Sequence, residues 1–568
     1  MANISRENNI THPRLRLSKP FFYILVAILP FQLSKVLFTE NSFYLGYHAF
    51  YNTMFWYLTD LVVLGLILAW LWENLPPLNL PLIKGEKGGA GEKNPLSPPL
   101  KVREGWGALG SKIISRVAND PIYLFATAFW LILATSLIFS RENLLGVYGL
   151  VKITEGLLVF VYVREKFSPR TNHKKKNFSR ENIAGPNENL GLVRGKRENN
   201  SLTPQRVILW IILISACFQS LLGIYQYLTQ SSVGLSLLGE EFLRPGLKGV
   251  AKFFTDGVAN PLLYDFFPYL SVISDTNLVM RAYGTFPHPN VLGAFLFMAV
   301  MINVHLLYFS TPSQSPPYQG GEKKRGWFSR EMVRHVPLSV TLVILTTGLV
   351  VTFARLAWGV TFMGFCLWFF WILIKYRGRH RQTIQSGGLR DSQMLYFPGR
   401  LMLIMLALLA SLAINWFLFG QQIKSRIGSG SQVIVNSESV TDRKAYGSVA
   451  WDMFVKNPAL GVGLRNFVVE MDEYSKERLL PHQHQPAHNI YLLILAEAGI
   501  LALVSFLMIL VNIVRLGIKQ KTPLVGESLL IIFLGFLILG FFDHYFLSLE
   551  QGSLMFWIAA GLLAAKNN

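Results

Sequence analysis

The chain has 568 residues, 51% of them hydrophobic and 15% charged, with a mean hydropathy of +0.36. That balance excludes an ordinary soluble domain. The formal net charge of +20 does not mark a nucleic-acid binder, because the basic residues sit mainly in loops between apolar blocks, as the positive-inside rule describes. No nucleic-acid partner is expected, and the lipid bilayer is.

A hydrocarbon core of about 30 Å takes about 20 residues of helix at 1.5 Å rise per residue. Spans are predicted at 20–37, 53–72, 120–138, 146–163, 206–228, 288–309, 337–353, 356–374, 400–419, 488–513, 526–545 and 553–565. The basic N-terminal stretch leads into the first block with no small-residue cleavage site after it, so an uncleaved first span is expected. Cys217 and Cys366 both lie in apolar blocks and read as packing residues, with no disulfide framework.

The loops fix an expected orientation. Segments 73–119, 164–205, 310–336 and 375–399 hold most of the Lys and Arg. With twelve spans, all four fall on one side together with both termini, and that side is the cytoplasm. They are rich in Gly, Pro, Ser and Lys and are expected to be disordered; short Ser-Arg-Glu strings recur in the chain at Ser5, Ser140, Ser179 and Ser329. The alternate loops differ. Segment 229–287 carries Phe242, Phe253, Phe254, Tyr264, Phe266, Phe267 and Tyr269, and segment 420–487 carries Tyr446, Trp451, Phe454, Phe467 and Tyr474. The run from Ala450 to Val455 before Asn457-Pro458 reads as a helix that stops at a turn. The fold class is therefore an all-α polytopic membrane protein with about twelve transmembrane helices and a structured helical extracytoplasmic loop. The expected division is 1–228 (five helices), 229–287 (outer loop), 288–419 (four helices), 420–487 (large outer loop) and 488–568 (three helices).

Three places can carry chemistry. His488, in Pro486-Ala487-His488-Asn489, stands at the mouth of a long apolar run. A helix N-terminus disfavours imidazolium, so a neutral His488 can serve as a general base; it can equally be an interfacial helix cap. Arg355 follows Val351-Thr352-Phe353-Ala354 in the shortest connection between two spans. Its fork suits phosphate, and a snorkelling anchor is the alternative. Arg443, in Thr441-Asp442-Arg443, is the third, with a surface salt bridge as the alternative. The segment from Arg281 to Asn290 opens another span, with Pro289 suited to the first helical turn and His288 to the cap. His482, His484 and His488 form an HxHxxxH string without matching Cys or spaced acids, and no metal is expected. Asp60, Glu155, Glu497, Asp543 and His544 are among the ionisable residues inside predicted spans.

At these residues the sequence resembles the O-antigen ligase and polymerase-like family of membrane glycosyltransferases, best from about 219 to 550. The family's ligase signature is His, then Asn, Ser or Gln, nine residues, and GxxG. Here His488-Asn489 is followed by nine residues and Gly499-Ile500-Leu501-Ala502, with Ala502 for the second glycine. Arg355 resembles the family's outer-face arginine, with Ala354 replacing a serine. Arg443, followed by Pro458-Ala459-Leu460-Gly461-Val462-Gly463, resembles its loop arginine and turn. The Gly284 to Asn290 segment is similar to a helix-start motif.

The resemblance implies a GT-C-like fold in the bacterial inner membrane. It also implies transfer of a glycan from a polyprenyl-pyrophosphate carrier to a glycan, lipid or protein acceptor hydroxyl on the extracytoplasmic face. It implies His488 as catalytic base, Arg355 and Arg443 on the pyrophosphate, Arg281, His288, Asn290, Asn489 and His544 lining the site, and neither cofactor nor metal. Relatives in photosynthetic bacteria have been associated with inorganic-carbon uptake, so a transporter stays open as the alternative, with Asp60, Glu155 and Glu497 as its motivating residues. A non-catalytic membrane scaffold is the third reading.

Overall fold

The computed structural model describes residues 16–37, 43–44, 47–48, 50–74, 111, 115–167, 203–247, 249–255, 278–309, 324–385, 392–428, 433–476, 479–480, 483–519 and 526–565. Most of segments 73–119 and 164–205, residues 310–323 and 386–391, Tyr264, Phe266, Phe267, Tyr269, His482 and the side chain of Thr441 lie outside the described residues; the rest of the two later basic segments is helical rather than disordered, within Lys324–Val351, Arg355–Gln385 and Ser392–Ile427.

Helices form where the apolar blocks are. Among the described residues, seven are long and apolar enough to cross a bilayer: Pro121–Phe139, Asn143–Lys166, Pro204–Thr229, Pro289–Phe309, Arg355–Arg377, Arg400–Ile427 and Ile490–Lys519. Shorter apolar helices lie at Ser18–Ile28, His335–Val351 and Gly526–Phe542, and Leu58–Asn74 and Glu550–Leu563 fill the two remaining blocks. The protein is an all-α polytopic membrane protein. The Pro289–Phe309 helix is its centre: 94% of its apolar window is buried, against 22% for Pro121–Phe139 and Arg400–Ile427. The outer helices turn Leu406, Leu412, Phe417, Phe362 and Phe370 outward, an apolar exterior that only lipid satisfies. Cys217 and Cys366 are free thiols.

Three expectations are corrected. The first block is helical only over Ser18–Ile28; Ser34–Leu37 is a strand paired antiparallel with Met54–Tyr57, and the second helix begins at Leu58. Ser34 and Lys35 break the apolar run, and β pairing satisfies the backbone there instead. Arg355 is not in a connection but is the first residue of the Arg355–Gln385 helix. The run after His488 is not one continuous helix. Ile490–Lys519 breaks at Gly499, with φ 77° and ψ −175°, a conformation essentially reserved for glycine.

The glycine turn explains that break. Gly463 N–H donates to Glu497 O at 3.0 Å, Val462 N–H to Ala496 O at 2.9 Å, and Ile500 N–H to Pro458 O at 3.0 Å. The 458–463 turn thus lies backbone to backbone against the broken helix. A Cβ on Gly499 would stand 2.2 Å from Ala459 O, and one on Gly461 2.3 Å from the Glu497 carbonyl carbon. Helix Val433–Lys456 runs into this turn at Asn457, and helix Phe467–Tyr474 follows it. The Glu497 carboxylate accepts from Phe467 N at 3.4 Å, which satisfies the start of that short helix.

Candidate active site

His488 is set by its neighbour. Asn489 Oδ1 accepts from Tyr491 N at 2.9 Å and Leu492 N at 3.0 Å, so Asn489 caps the helix and the half-buried imidazole before it is left for other work. The His488 ring stacks on Tyr446 at 5.6 Å, 12° from parallel, and meets His544 edge-on at 5.0 Å. Ring-nitrogen and carboxylate atoms of His488, Asp543 and His544 lie within 4.8 Å of one another, a set of donors that would also suit a metal ion.

A chain of side chains leads away from Asp543. Asn290 Nδ2 donates to Asp543 Oδ2 at 2.7 Å, and Asn290 Oδ1 accepts from Arg281 Nη2 at 2.7 Å. Arg281 Nε donates to Thr352 O at 2.7 Å, two peptides before Ala354. His288 takes the expected cap position, its Nδ1 accepting from Asn290 N at 3.2 Å. His544 Nδ1 lies 2.5 Å from Ser548 Oγ, and Tyr51 meets the His544 ring edge-on at 5.3 Å.

Burial sets the protonation states here. It pushes His288 and His544 down to about 3 and Arg281 down to about 10. His488 is lowered by burial and by Arg443, against Asp543 and the Pro486 carbonyl, which favour the imidazolium. Burial opposes ionisation of Asp543, yet the surrounding imidazoles and Arg443 hold its carboxyl down to about 2. At neutral pH His288 and His544 are uncharged, so the standing positive charge near Asp543 is Arg443, with Arg281 reaching it through Asn290.

Arg355 and Arg443 are exposed, and neither forms an ion pair with a carboxylate among the described residues. Asp442 instead lies 3.5 Å from Gln483 Nε2, which removes the local salt bridge as the role of Arg443. Arg281 feels the fields of both Arg355 and Arg443, so the three guanidinium groups lie near one another. A fourth, Arg426, feels the same three. A cavity of about 30 Å³ lies behind the imidazoles, lined among others by Tyr51, Arg465, Pro486 and Ser548; it has room for water rather than for a sugar.

Of the expected site residues, Arg281, His288, Asn290, His488 and His544 gather around Asp543, Arg355 and Arg443 act on them through their fields, and Asn489 faces its own helix. Sequence reasoning missed Asp543, Tyr446 and Arg426 as members of the site. An Asp-His pair at the end of an apolar helix was the available signal for Asp543, because intramembrane acids are rarely idle. The HxHxxxH grouping dissolves as far as it is described: His484 Nε2 lies 3.1 Å from both Asp472 oxygens and its Nδ1 3.1 Å from Leu480 O. The three acids that motivated a transporter also separate. Asp60 and Glu155 gather with Glu550 around Lys152 Nζ, at 2.5, 3.4 and 3.2 Å, whereas Glu497 serves the Phe467 backbone.

Residues 340–507 match the family model described as O-antigen ligase. No curated protein matches the chain. The matched stretch holds Arg355, Arg443 and His488, while Arg281, Asn290 and Asp543 lie on either side of it. Over residues 340–507 this multi-pass membrane protein is thus similar to the O-antigen ligases, a family of membrane glycosyltransferases.

Proposed function

We propose that the protein transfers a glycan from a polyprenyl-pyrophosphate carrier to an acceptor hydroxyl, at the face of the membrane opposite its basic loops. The observation that carries this reading is the placement of His488 beside Asp543, within the fields of Arg443 and, through Arg281, near Arg355. The acceptor oxygen attacks the anomeric carbon and forms the new glycosidic bond. The bond from that carbon to the phosphate oxygen breaks, and its electron pair leaves with the pyrophosphate. His488 takes the acceptor proton, and the Asp543 carboxylate stabilises the imidazolium that results.

A departing pyrophosphate needs charge stabilisation more than a proton. Arg355 and Arg443 offer exposed forks for it, and the backbone dipole of the Arg355–Gln385 helix adds positive potential beside Arg355. Arg281, buried and tied to Asn290 and Thr352 O, holds the geometry. The basic segments 73–119, 164–205, 310–336 and 375–399 support a cytoplasmic side opposite the site. Alanine at His488, Arg355 or Arg443 is expected to abolish surface glycan made by cells expressing the protein. Normal glycan from all three stably inserted variants would overturn the reading.

A further inference from the structure

The His335–Val351 helix ends under unusual control. Its last carbonyls have no partner within the helix and carry the negative end of its dipole. Some are closed locally, Leu349 O by Thr352 Oγ1 at 2.6 Å and Val350 O by Phe353 N at 2.9 Å, and distant groups take others. Leu349 O accepts from Trp358 Nε1 at 2.9 Å, and Val351 O from the Ala282 N–H at 3.0 Å. Thr352 O accepts from Arg281 Nε at 2.7 Å and Phe353 O from Arg426 Nε at 3.2 Å. Two adjacent peptides are thus clamped by two guanidinium groups that come from different parts of the chain.

The clamped turn is strained. Phe353 has φ 47°, a left-handed conformation that bulky residues avoid. Its buried ring is wedged against Phe253 at 4.6 Å, Tyr227 at 5.5 Å and Trp358 at 5.7 Å. Ala354 follows, and Arg355 begins the next helix. The direction in which that helix sets off, and so the place of Arg355, is decided within these residues.

Arg426 arrives by a second irregularity. The Ser392–Ile427 helix is interrupted at Phe419 (φ −125°, ψ 15°) and then continues to Ile427. The continuation is fastened to the 252–255 strand region: Ser425 Oγ lies 3.0 Å from Thr255 Oγ1, and the Arg426 guanidinium lies 5.5 Å over the Phe253 ring. Phe253 therefore touches both the turn and the residue that clamps it. A planar, weakly hydrated guanidinium can stack on the ring and point Nε at the carbonyl together. A lysine keeps the charge and loses both directions.

We propose that Arg426 is a positioning residue for Arg355: by holding the Phe353 carbonyl it fixes the turn that aims Arg355 at the pyrophosphate. The inference rests on the reading of Arg355 as a pyrophosphate ligand. Misplacing such a group by about 1 Å costs on the order of 100-fold in rate, which sets the scale of the effect.

The test is a double-mutant cycle in the full-length protein reconstituted with a polyprenyl-pyrophosphate-linked glycan and its acceptor. Wild type, R355A, R426A and R355A/R426A are compared for kcat, donor KM and Tm, with R426K beside them. R426A is expected to lower kcat by about 10- to 100-fold in the wild-type background and by less than about twofold once Arg355 is gone, because the two act as one unit. R426K is expected to fall between wild type and R426A. The same factor in both backgrounds, or normal kcat for R426A, overturns the inference while leaving Arg355 its role. Normal turnover by R355A overturns the pyrophosphate reading and the inference with it. Should R426A fail to fold, R426K and F353G, which frees the same turn, carry the identical comparison with R355A.

Discussion

Asn290 donates to Asp543 at 2.7 Å across 253 residues of sequence, and this single bond joins the two halves of the proposed chemistry. On one side of it stand Arg281 and, through the Thr352 carbonyl, the turn that carries Arg355. On the other stand His488 and His544. Asn290 is suited to the place because its amide donates and accepts at once, whereas a carboxylate there would repel Asp543.

Breaking this link is expected to slow turnover without removing either end. Asp543→Asn keeps the shape and loses the charge that stabilises an imidazolium at His488. A hydrogen bond to a charged group contributes about 1.5–3 kcal/mol, so kcat should fall roughly 10- to 100-fold with donor KM little changed. Steady-state kinetics on purified protein checks the split; a raised KM with normal kcat would place Asp543 in donor binding instead.

The pH profile follows from the same pair. His488 is lowered from its ordinary 6.5 by burial, so the base stays available at neutral pH and the acid limb of kcat/KM is expected below pH 6.5. Asp543 raises the proton affinity of His488. Removing its charge should therefore move the acid limb of Asp543→Asn further toward low pH, even as the plateau drops. A limb that moves to higher pH would contradict the assignment.

Stability should fall on acidification. His288 and His544 are held down to about 3 in the folded protein against 6.5 when unfolded. Between those values the unfolded chain binds more protons, so folding stability is fully present above pH 6.5 and is lost as pH falls below it. The Tm of detergent-solubilised protein is expected to decline from pH 7 to pH 4.5. His544→Gln should flatten that decline, and an unchanged slope would argue against a buried neutral His544.

The two ends of the Gly499 to Ala502 segment should respond differently. Gly499→Ala combines a glycine-only conformation with a Cβ 2.2 Å from Ala459 O. Backbone strain of about 1–3 kcal/mol and overpacking of similar size are expected to unseat the 458–463 turn and lower Tm sharply. Ala502→Gly should cost only about 1 kcal/mol of helix propensity. Comparable Tm values for the two variants would show that the turn is not seated on Gly499.

Much of this was legible in the sequence, for physical reasons. A bilayer demands long apolar runs, so eleven of the twelve predicted blocks lie largely within helices; the first is cut short where Ser34 and Lys35 interrupt it. Arg355, Arg443 and His488 stood out because charge and imidazole at span ends are costly and few. What stayed hidden depends on which distant segments meet. Nothing local to Asn290 announces Asp543, and nothing local to Arg426 announces the Phe353 carbonyl. Gly499 sits in an apolar run where glycine is commonplace in membrane helices, and only the approach of Ala459 reveals why it is needed. The expected end of one span at 419 did coincide with the break at Phe419, but the helical continuation that carries Arg426 was read as loop.

The central claim is that His488, Arg355 and Arg443 together transfer a glycan off pyrophosphate. Its most direct test is release of polyprenyl pyrophosphate by the purified, reconstituted protein, with donor and acceptor supplied and a metal chelator present. Wild type should turn over, and each alanine variant should lose roughly 100-fold or more, about 3 kcal/mol, at unchanged Tm. Release by the wild type that the His488, Arg355 and Arg443 variants match would contradict it.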